Sequence, residues 1–373
     1  MRRVQGLDLL RGVAVALVML RHAFPQPFSG GGVVGVVMFF ALSGYLITGT
    51  LTSELRRNGR LDLRRFYRRR AARLLPALAA MAAGVAVVTL LSDPLGDRAE
   101  LPRTLAVALT YTSDLPFAHG GDATFHLWTL AVEEQFYLLW PVLLIIAWSR
   151  RRGVPALLIA SGTLGTVACV AVWTHVAPHP DVAYTLPTSW VTSLVIGAAA
   201  RVVADRPSAS RDRVLRRAAP WALTTLLVST LVPWRSFALT YPVGGPAIAA
   251  LTSIVLLAWR DRRVIDSRPL RAMAALGIVS YGAYLWNYPL TLWLRPVLPG
   301  PAAGVLAAAL TLVAAALSWR LVERPALRRW APRPAPAPPA TAPGPAPAPA
   351  TAPATAPVPV PPAAVRRRTG VSP

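Results

Sequence analysis

Charged and imidazole side chains stand out in this chain because they interrupt long apolar runs. His22 follows Arg11 by eleven residues, close to three whole helical turns, so the two share nearly one face about 16 Å apart along the axis. Asp8 lies one turn before Arg11 on the same stripe and is placed to pair with it. Such a stripe offers a cation to hold an electron-rich group and an imidazole that can move a proton. The plainer alternative is an arginine paired for insertion beside an imidazole at the membrane surface, and these residues alone leave it open.

A second constellation opens at His126. Glu133 is seven residues on and shares its face, Trp140 continues the stripe, and Glu134 adds an adjacent carboxylate. Two neighbouring carboxylates inside an apolar run are hard to explain by packing, so at least one is expected to face a polar cavity or an arginine. A third candidate is the stretch from Phe66 to Pro76, in which Arg70 and Arg73 stand one turn apart and can present a fork to phosphate. The same stretch equally suits an amphipathic segment on anionic headgroups.

Other candidates carry little. His175 and His179 have a spacing seen in metal-binding helices, but Pro178 and Pro180 interrupt it and no third ligand is evident, so no metal site is expected. His119 lies in a glycine-rich segment with nothing to anchor a role. Ser43 lacks a nucleophile-elbow pattern, and Ser43 with Gly44 reads as a place of close helix packing. Cys169 reads as a small buried hydrophobe. There is no Walker loop, dinucleotide fingerprint or zinc motif.

The elements that position these residues follow from composition. Of 373 residues, 54% are hydrophobic and 15% charged, where soluble domains carry about a quarter charged. The apolar residues form runs long enough to cross a hydrocarbon core of about 30 Å. Spans are expected at 6–24, 32–52, 74–92, 126–148, 154–174, 184–204, 218–234, 239–259, 274–295 and 302–322. Segment 101–118 is apolar enough to compete as an eleventh. The N-terminus reads as a retained first span, because Asp8 and Arg11 interrupt what would be a signal peptide's apolar region.

Charge decides the count. The net charge of +23 is all arginine, without a single lysine, and it lies between the apolar runs. That placement argues against nucleic acid as partner. Loop 53–73 carries nine arginines, 150–152 three, 201–217 six, 260–271 five and 320–333 five, whereas 93–125 has only Arg98 and Arg103 against five acids. With 93–125 on one side, every arginine-rich loop falls in the cytoplasm. The expected fold is therefore an all-α polytopic membrane protein of about ten transmembrane helices, both termini cytoplasmic. Domain 1–330 forms the bundle, and 331–373, rich in Ala and Pro, is expected as a disordered cytoplasmic tail.

Six motifs in order give the chain a resemblance to a family. They are Gly6–Gly12 followed by His22, Phe39–Leu46, Phe66–Pro76, His126–Tyr137, Ser280–Pro289 and Ser318–Pro325. Together they resemble the membrane acyltransferase-3 family of bacterial O-acyltransferases. The resemblance covers about 1–330. It implies a multi-pass enzyme of the bacterial cytoplasmic membrane, with acyl-CoA as donor substrate, no tightly bound cofactor, and a sugar-containing acceptor. Asn287 stands where many members carry histidine. Transfer is expected to finish within the membrane bundle, without the extra hydrolase-like domain fused to some relatives.

The resemblance points to His22 as the catalytic residue, either general base or acyl-carrying nucleophile. Arg11 is expected to contact the donor's pantetheine arm, with Arg70 and Arg73 on its phosphates. Glu133 or Glu134 would fix the imidazole tautomer or bind sugar hydroxyls. His126, Trp128, Tyr281 and Asn287 are expected to meet substrate. A transporter or flippase for a polar metabolite is the alternative, though no inverted repeat is visible.

Overall fold

The computed structural model describes residues 4–115, 120–176 and 180–330. The tail expected at 331–373, His119 and His179 lie outside them. Among the described residues every regular element is helical.

The helices in chain order are α1 (Gln5–Ala23), α2 (Gly31–Asn58), α3 (Leu63–Leu91), α4 (Leu101–Thr110), α5 (Trp128–Trp148), α6 (Gly153–Val176) and α7 (Pro180–Thr185). They continue as α8 (Val191–Ala204), α9 (Ala209–Ser229), α10 (Gly244–Trp259), α11 (Arg268–Ile278), α12 (Ser280–Leu294), α13 (Gly300–Ser318) and α14 (Arg324–Trp330). Six helical segments are long and apolar enough to cross a membrane. Leu138 and Leu139 on α5, Ile159 and Leu164 on α6, and Val313 and Leu317 on α13 turn outward and are exposed. A helical bundle with its apolar side chains facing out suits hydrocarbon, where each helix satisfies its own backbone. The chain is a helical membrane protein.

α2 is the central helix, buried over most of its length against α1, α8 and α10. It ends at Gly59, whose φ of 69° admits a left-handed residue and whose N–H caps Leu55 O at 2.8 Å. Asp62 then opens α3, its side chain accepting from the Arg65 N–H at 2.9 Å. This tight turn sets the start of the helix that carries Arg70 and Arg73.

Two stretches depart from simple membrane-spanning helices: 101–118, which charge had already set aside as an eleventh span, and 274–295. α4 has ten residues, about 15 Å of helix, too short for a bilayer. The chain reverses at Tyr111, a left-handed C-cap with φ 54°, and returns past Asp114, whose buried carboxylate accepts from Gln135 Nε2 of α5 at 2.6 Å. Thr104 Oγ1 accepts from the Gly121 N–H at 2.6 Å and ties the two arms. Residues 101–115 thus form a short arm that turns back at Tyr111. Apolar composition alone could not separate this from a span.

The second departure is at 274–295. The helix breaks at Val279, so α11 and α12 are separate elements. α11 crosses α1 where Gly12 faces Gly277, so closely that a Cβ on either would collide with a main-chain carbonyl, Met273 O or Asp8 O. The break sets Ser280 at the first turn of α12, opposite Arg11. We expect Gly12→Leu to destabilise the protein by about 3 kcal/mol or more through overpacking at this crossing. A thermal scan of the purified protein in detergent checks this, and an unshifted transition would contradict it.

Candidate active site

A cavity of about 250 Å³ lies among α1, α2, α3, α5 and α12 and is reached by the tip of the α4 arm. Arg11, Arg70 and Arg73 line it together with Glu133 and Glu134, so the structure brings the three arginines and both carboxylates into one space. The two carboxylates are divided in their partners. Glu133 accepts from Ser43 Oγ at 2.8 Å and from the Tyr137 hydroxyl at 3.0 Å. Glu134 accepts from Arg70 Nε at 3.2 Å. The Arg70 guanidinium also lies 3.0 Å from the centre of the Tyr137 ring, a desolvated cation–π contact of about 2 kcal/mol. Ser43 is therefore a cavity residue, a correction to its reading as packing. Gly44 beside it does mediate close packing, against the main chain of Leu194.

Arg11 donates to Ser280 Oγ through Nε at 3.2 Å and Nη2 at 3.0 Å. Arg73 makes no hydrogen bond or ion pair among the described residues and presents its surface to the cavity. Buried Glu323 is in electrostatic reach of Arg73 and Arg11. It sits on a five-residue π turn, Trp319–Glu323, that directs its carboxylate to Ser318 Oγ at 3.0 Å. One arginine of the pair at 70 and 73 is thus engaged, and the other is left for an anion.

Thr129 and Tyr284 form the opposite end of the cavity. The Tyr284 hydroxyl donates to the His126 carbonyl at 2.8 Å and stands 2.6 Å from Thr129 Oγ1. Two imidazoles lie beyond this layer. The His126 ring packs on Tyr284 and Tyr288 with centroids 5.4 and 5.1 Å away, and neither of its nitrogens has a hydrogen-bond partner. The Leu285 carbonyl, which Pro289 leaves without its helical donor, lies beside that ring.

His22 Nδ1 is 2.6 Å from Asn287 Oδ1. The tautomer follows from a chain of bonds. Thr311 Oγ1 donates to Ala307 O at 2.7 Å, so its lone pairs are what it offers Asn287. Asn287 Nδ2 donates to that oxygen at 3.2 Å, which turns Oδ1 to His22. An amide oxygen only accepts, so Nδ1 carries the proton and Nε2 keeps its lone pair. Neutral partners thus leave the imidazole as a base. The expectation that Glu133 or Glu134 would fix this tautomer is corrected, because their hydrogen bonds go to Ser43, Tyr137 and Arg70 on the far side of Tyr284.

Of the residues expected to meet substrate, Tyr281 lines the cavity while its hydroxyl donates to Leu74 O at 3.1 Å. His126 lies beside the cavity's end, and Asn287 holds His22. Trp128 does not belong to the cavity. It is 2% exposed, packed among Phe40, Tyr184 and Trp190 with the nearest centroid at 4.9 Å. Two residues of helix turn it to nearly the opposite side from His126.

Sequence reasoning missed Tyr111, Tyr137, Ser280, Tyr284 and Thr311. Tyr137 had a signal, since it lies one turn after Glu133 in the same motif. Thr311 had none, being one hydroxyl in a run of alanine, leucine and valine.

Residues 4–322 match the family described as an acyltransferase domain, as the ordered motifs led one to expect. Peptidoglycan O-acetyltransferase OatA of Listeria monocytogenes is 30% identical over 359 residues, covering 86% of this chain and 55% of the relative. Putative peptidoglycan O-acetyltransferase YrhL of Bacillus subtilis is 30% identical over 356 residues, 87% of this chain and 55% of the relative. O-acetyltransferase OatA of Staphylococcus aureus is 36% identical over 187 residues, 48% of this chain and 30% of the relative. The chain spans about half the length of the first two. No solved structure matches.

Proposed function

The chain belongs to the acyltransferase-3 family, and from that membership we propose that it is an O-acyltransferase that moves an acetyl group from acyl-CoA onto a hydroxyl of a carbohydrate acceptor. The single observation that carries the reading is the Thr311–Asn287–His22 chain, which leaves Nε2 of His22 free as a base. The relatives' names, all O-acetyltransferases, support the choice of acetyl and of a glycan.

In this reading α1, α2, α3, α5, α6, α8, α9, α10, the α11–α12 pair and α13–α14 make ten passes of the bacterial cytoplasmic membrane. The arginine-rich connections support a cytoplasmic side for both termini. Donor phosphates sit on Arg73, with Arg70 beside it, and the pantetheine arm runs along the cavity past Arg11 and Ser280 toward Tyr284. His22 Nε2 takes the proton of the acceptor hydroxyl. The alkoxide then attacks the thioester carbonyl, the C–S bond breaks, and the imidazolium returns its proton to the departing thiolate. Atoms and charge balance with His22 restored. Glu133 and Glu134 hold the donor end, and His126 lies against the acceptor. Acyl-CoA enters as a substrate, so no resident cofactor is required.

The test supplies purified full-length protein in detergent with acetyl-CoA labelled in the acetyl group and a panel of oligosaccharides. Label recovered as an ester on a glycan, with stoichiometric free thiol, is the expected result. Uptake of an unmodified solute into vesicles, with no ester formed, would overturn the reading in favour of a transporter.

A further inference from the structure

We infer that the acceptor taken at His22 carries a negative charge, as a carboxylate or phosphate on the sugar or its carrier. The inference rests on the acyl-transfer reading and names the substrate class of the same site.

The side of the bundle holding the His22 end has five arginines, Arg21, Arg98, Arg103, Arg235 and Arg295, against more than thirty elsewhere in the chain. Three of the five converge at the mouth of the His22 site, each from a different element. Arg21 is in the last turn of α1, Arg235 in the turn Trp234–Ser236, and Arg295 caps the end of α12.

The geometry is local to His22. Arg295 Nη2 donates to the His22 carbonyl at 3.2 Å. The Arg235 guanidinium carbon lies 4.6 Å from the centre of the Tyr184 ring. The Arg21 stem lies along the first turn of α2, where a Cβ on Gly32 would stand 3.4 Å from its Cγ. All three cations bear electrostatically on the Tyr288 hydroxyl, and the Tyr288 ring stands edge-on to the His22 imidazole at 5.1 Å. Asp122 bears on the same hydroxyl, so among the described residues three cations and one carboxylate act on it.

On the arginine-rich side the described ion pairs join cations to shared carboxylates. Arg56 and Arg201 meet on Asp205, and Arg211 and Arg260 on Asp212. Arg21 and Arg295 have no such carboxylate within 4.0 Å among the described residues. Folding gains nothing by gathering like charges at one opening, since Arg21 lies in the fields of both Arg235 and Arg295. An anionic ligand accounts for the arrangement, because a mouth of one sign raises the local concentration of the opposite charge and orients it on arrival. Arg235 and Arg295 are exposed and accessible to it.

An anionic phospholipid headgroup offers the same chemistry, and the experiment separates the two sources. Binding of tetragalacturonate, and of its counterpart with every carboxyl reduced to an alcohol, is measured on the full chain in neutral detergent without donor. We expect the uronate to bind about tenfold more tightly at low salt and to lose that margin as ionic strength rises. Arg21→Gln/Arg235→Gln should bring the ratio of the two affinities toward one. Equal affinities, or a ratio unchanged in the double variant, would overturn the inference. Displacement of the uronate by phosphatidylglycerol at lower concentration would overturn it too, in favour of a headgroup site.

Transfer of labelled acetyl is then measured on both oligosaccharides. Uronate binding without ester formation sinks the enzymatic reading and leaves the anion site standing. Ester formation equal on both acceptors does the reverse.

Discussion

His22→Ala should lower acetyl transfer to the glycan by about 10³-fold, within the 10²–10⁴ range of a positioned general base, while the protein still inserts and purifies as a folded monodisperse particle. The size of the effect follows from the bonds around the imidazole. Nδ1 is committed to Asn287 Oδ1 at 2.6 Å, and Asn287 is held in turn by Thr311. Nε2 is thus the nitrogen left to take the hydroxyl proton. Asn287→Leu should lose about tenfold to a hundredfold, because the ring stays but its tautomer and orientation are released. Thr311→Val should lose less, since the amide then swings without its second anchor. Asn287→Asp makes the sharpest test. It sets a carboxylate against Nδ1, favours the imidazolium, and should move the acidic limb of the kcat/KM profile to higher pH. Single-turnover transfer measured across pH, with circular dichroism to establish folding, reads all four variants. Retention of near-full activity by His22→Ala would remove His22 from the reaction.

The second large effect is expected at the donor end. Arg73→Ala should raise KM for acetyl-CoA by about 10- to 100-fold with kcat little changed, the magnitude of one or two charge-assisted hydrogen bonds to phosphate. Arg73 is the informative choice because no carboxylate lies within 4.0 Å of it among the described residues, so its removal leaves no such partner stranded. Arg70→Ala should give a mixed result. It releases Glu134 from its 3.2 Å bond and uncovers the Tyr137 ring, so thermal stability should fall together with donor affinity. A comparison of dephospho-CoA thioesters with the full donor on wild type and Arg73→Ala tells a phosphate contact from general loss. If the variant still prefers the full donor as strongly as wild type does, Arg73 does not hold that phosphate.

Much of this site was legible before any coordinates. Arg11, His22, Glu133, Glu134, Arg70 and Arg73 announced themselves because ionisable groups in apolar runs are expensive, and helical period put them on common faces. Trp128 was carried over with its motif, and the same helical period turns it away from His126 into the packing among Phe40, Tyr184 and Trp190. Charge set 101–118 aside as a span, but apolar composition could not show what course the chain takes there. The reversal at Tyr111 and the Asp114–Gln135 bond show it for the described residues. Val279 likewise gave no sign of a break, since β-branched residues sit comfortably in membrane helices; the break comes two residues after Gly277, where α11 crosses α1 at Gly12. Asn287 was read as a lapse from histidine. Its meaning depended on Thr311, a partner twenty-four residues away on another helix.

The layer made by Tyr284 and Thr129 has a consequence for the cell. Below it lies the cavity of about 250 Å³ with its charged lining, and above it lie the imidazoles and the cationic mouth. With the topology proposed here, removing that layer would join the two into a wire along which protons could run down the proton-motive force. The Tyr284 hydroxyl is bonded both to the His126 carbonyl and to Thr129, so it forms an insulating septum and offers no stepping stone. On the function proposed above, the protein works as an airlock, one that passes an acetyl group across an energised membrane while keeping the current off.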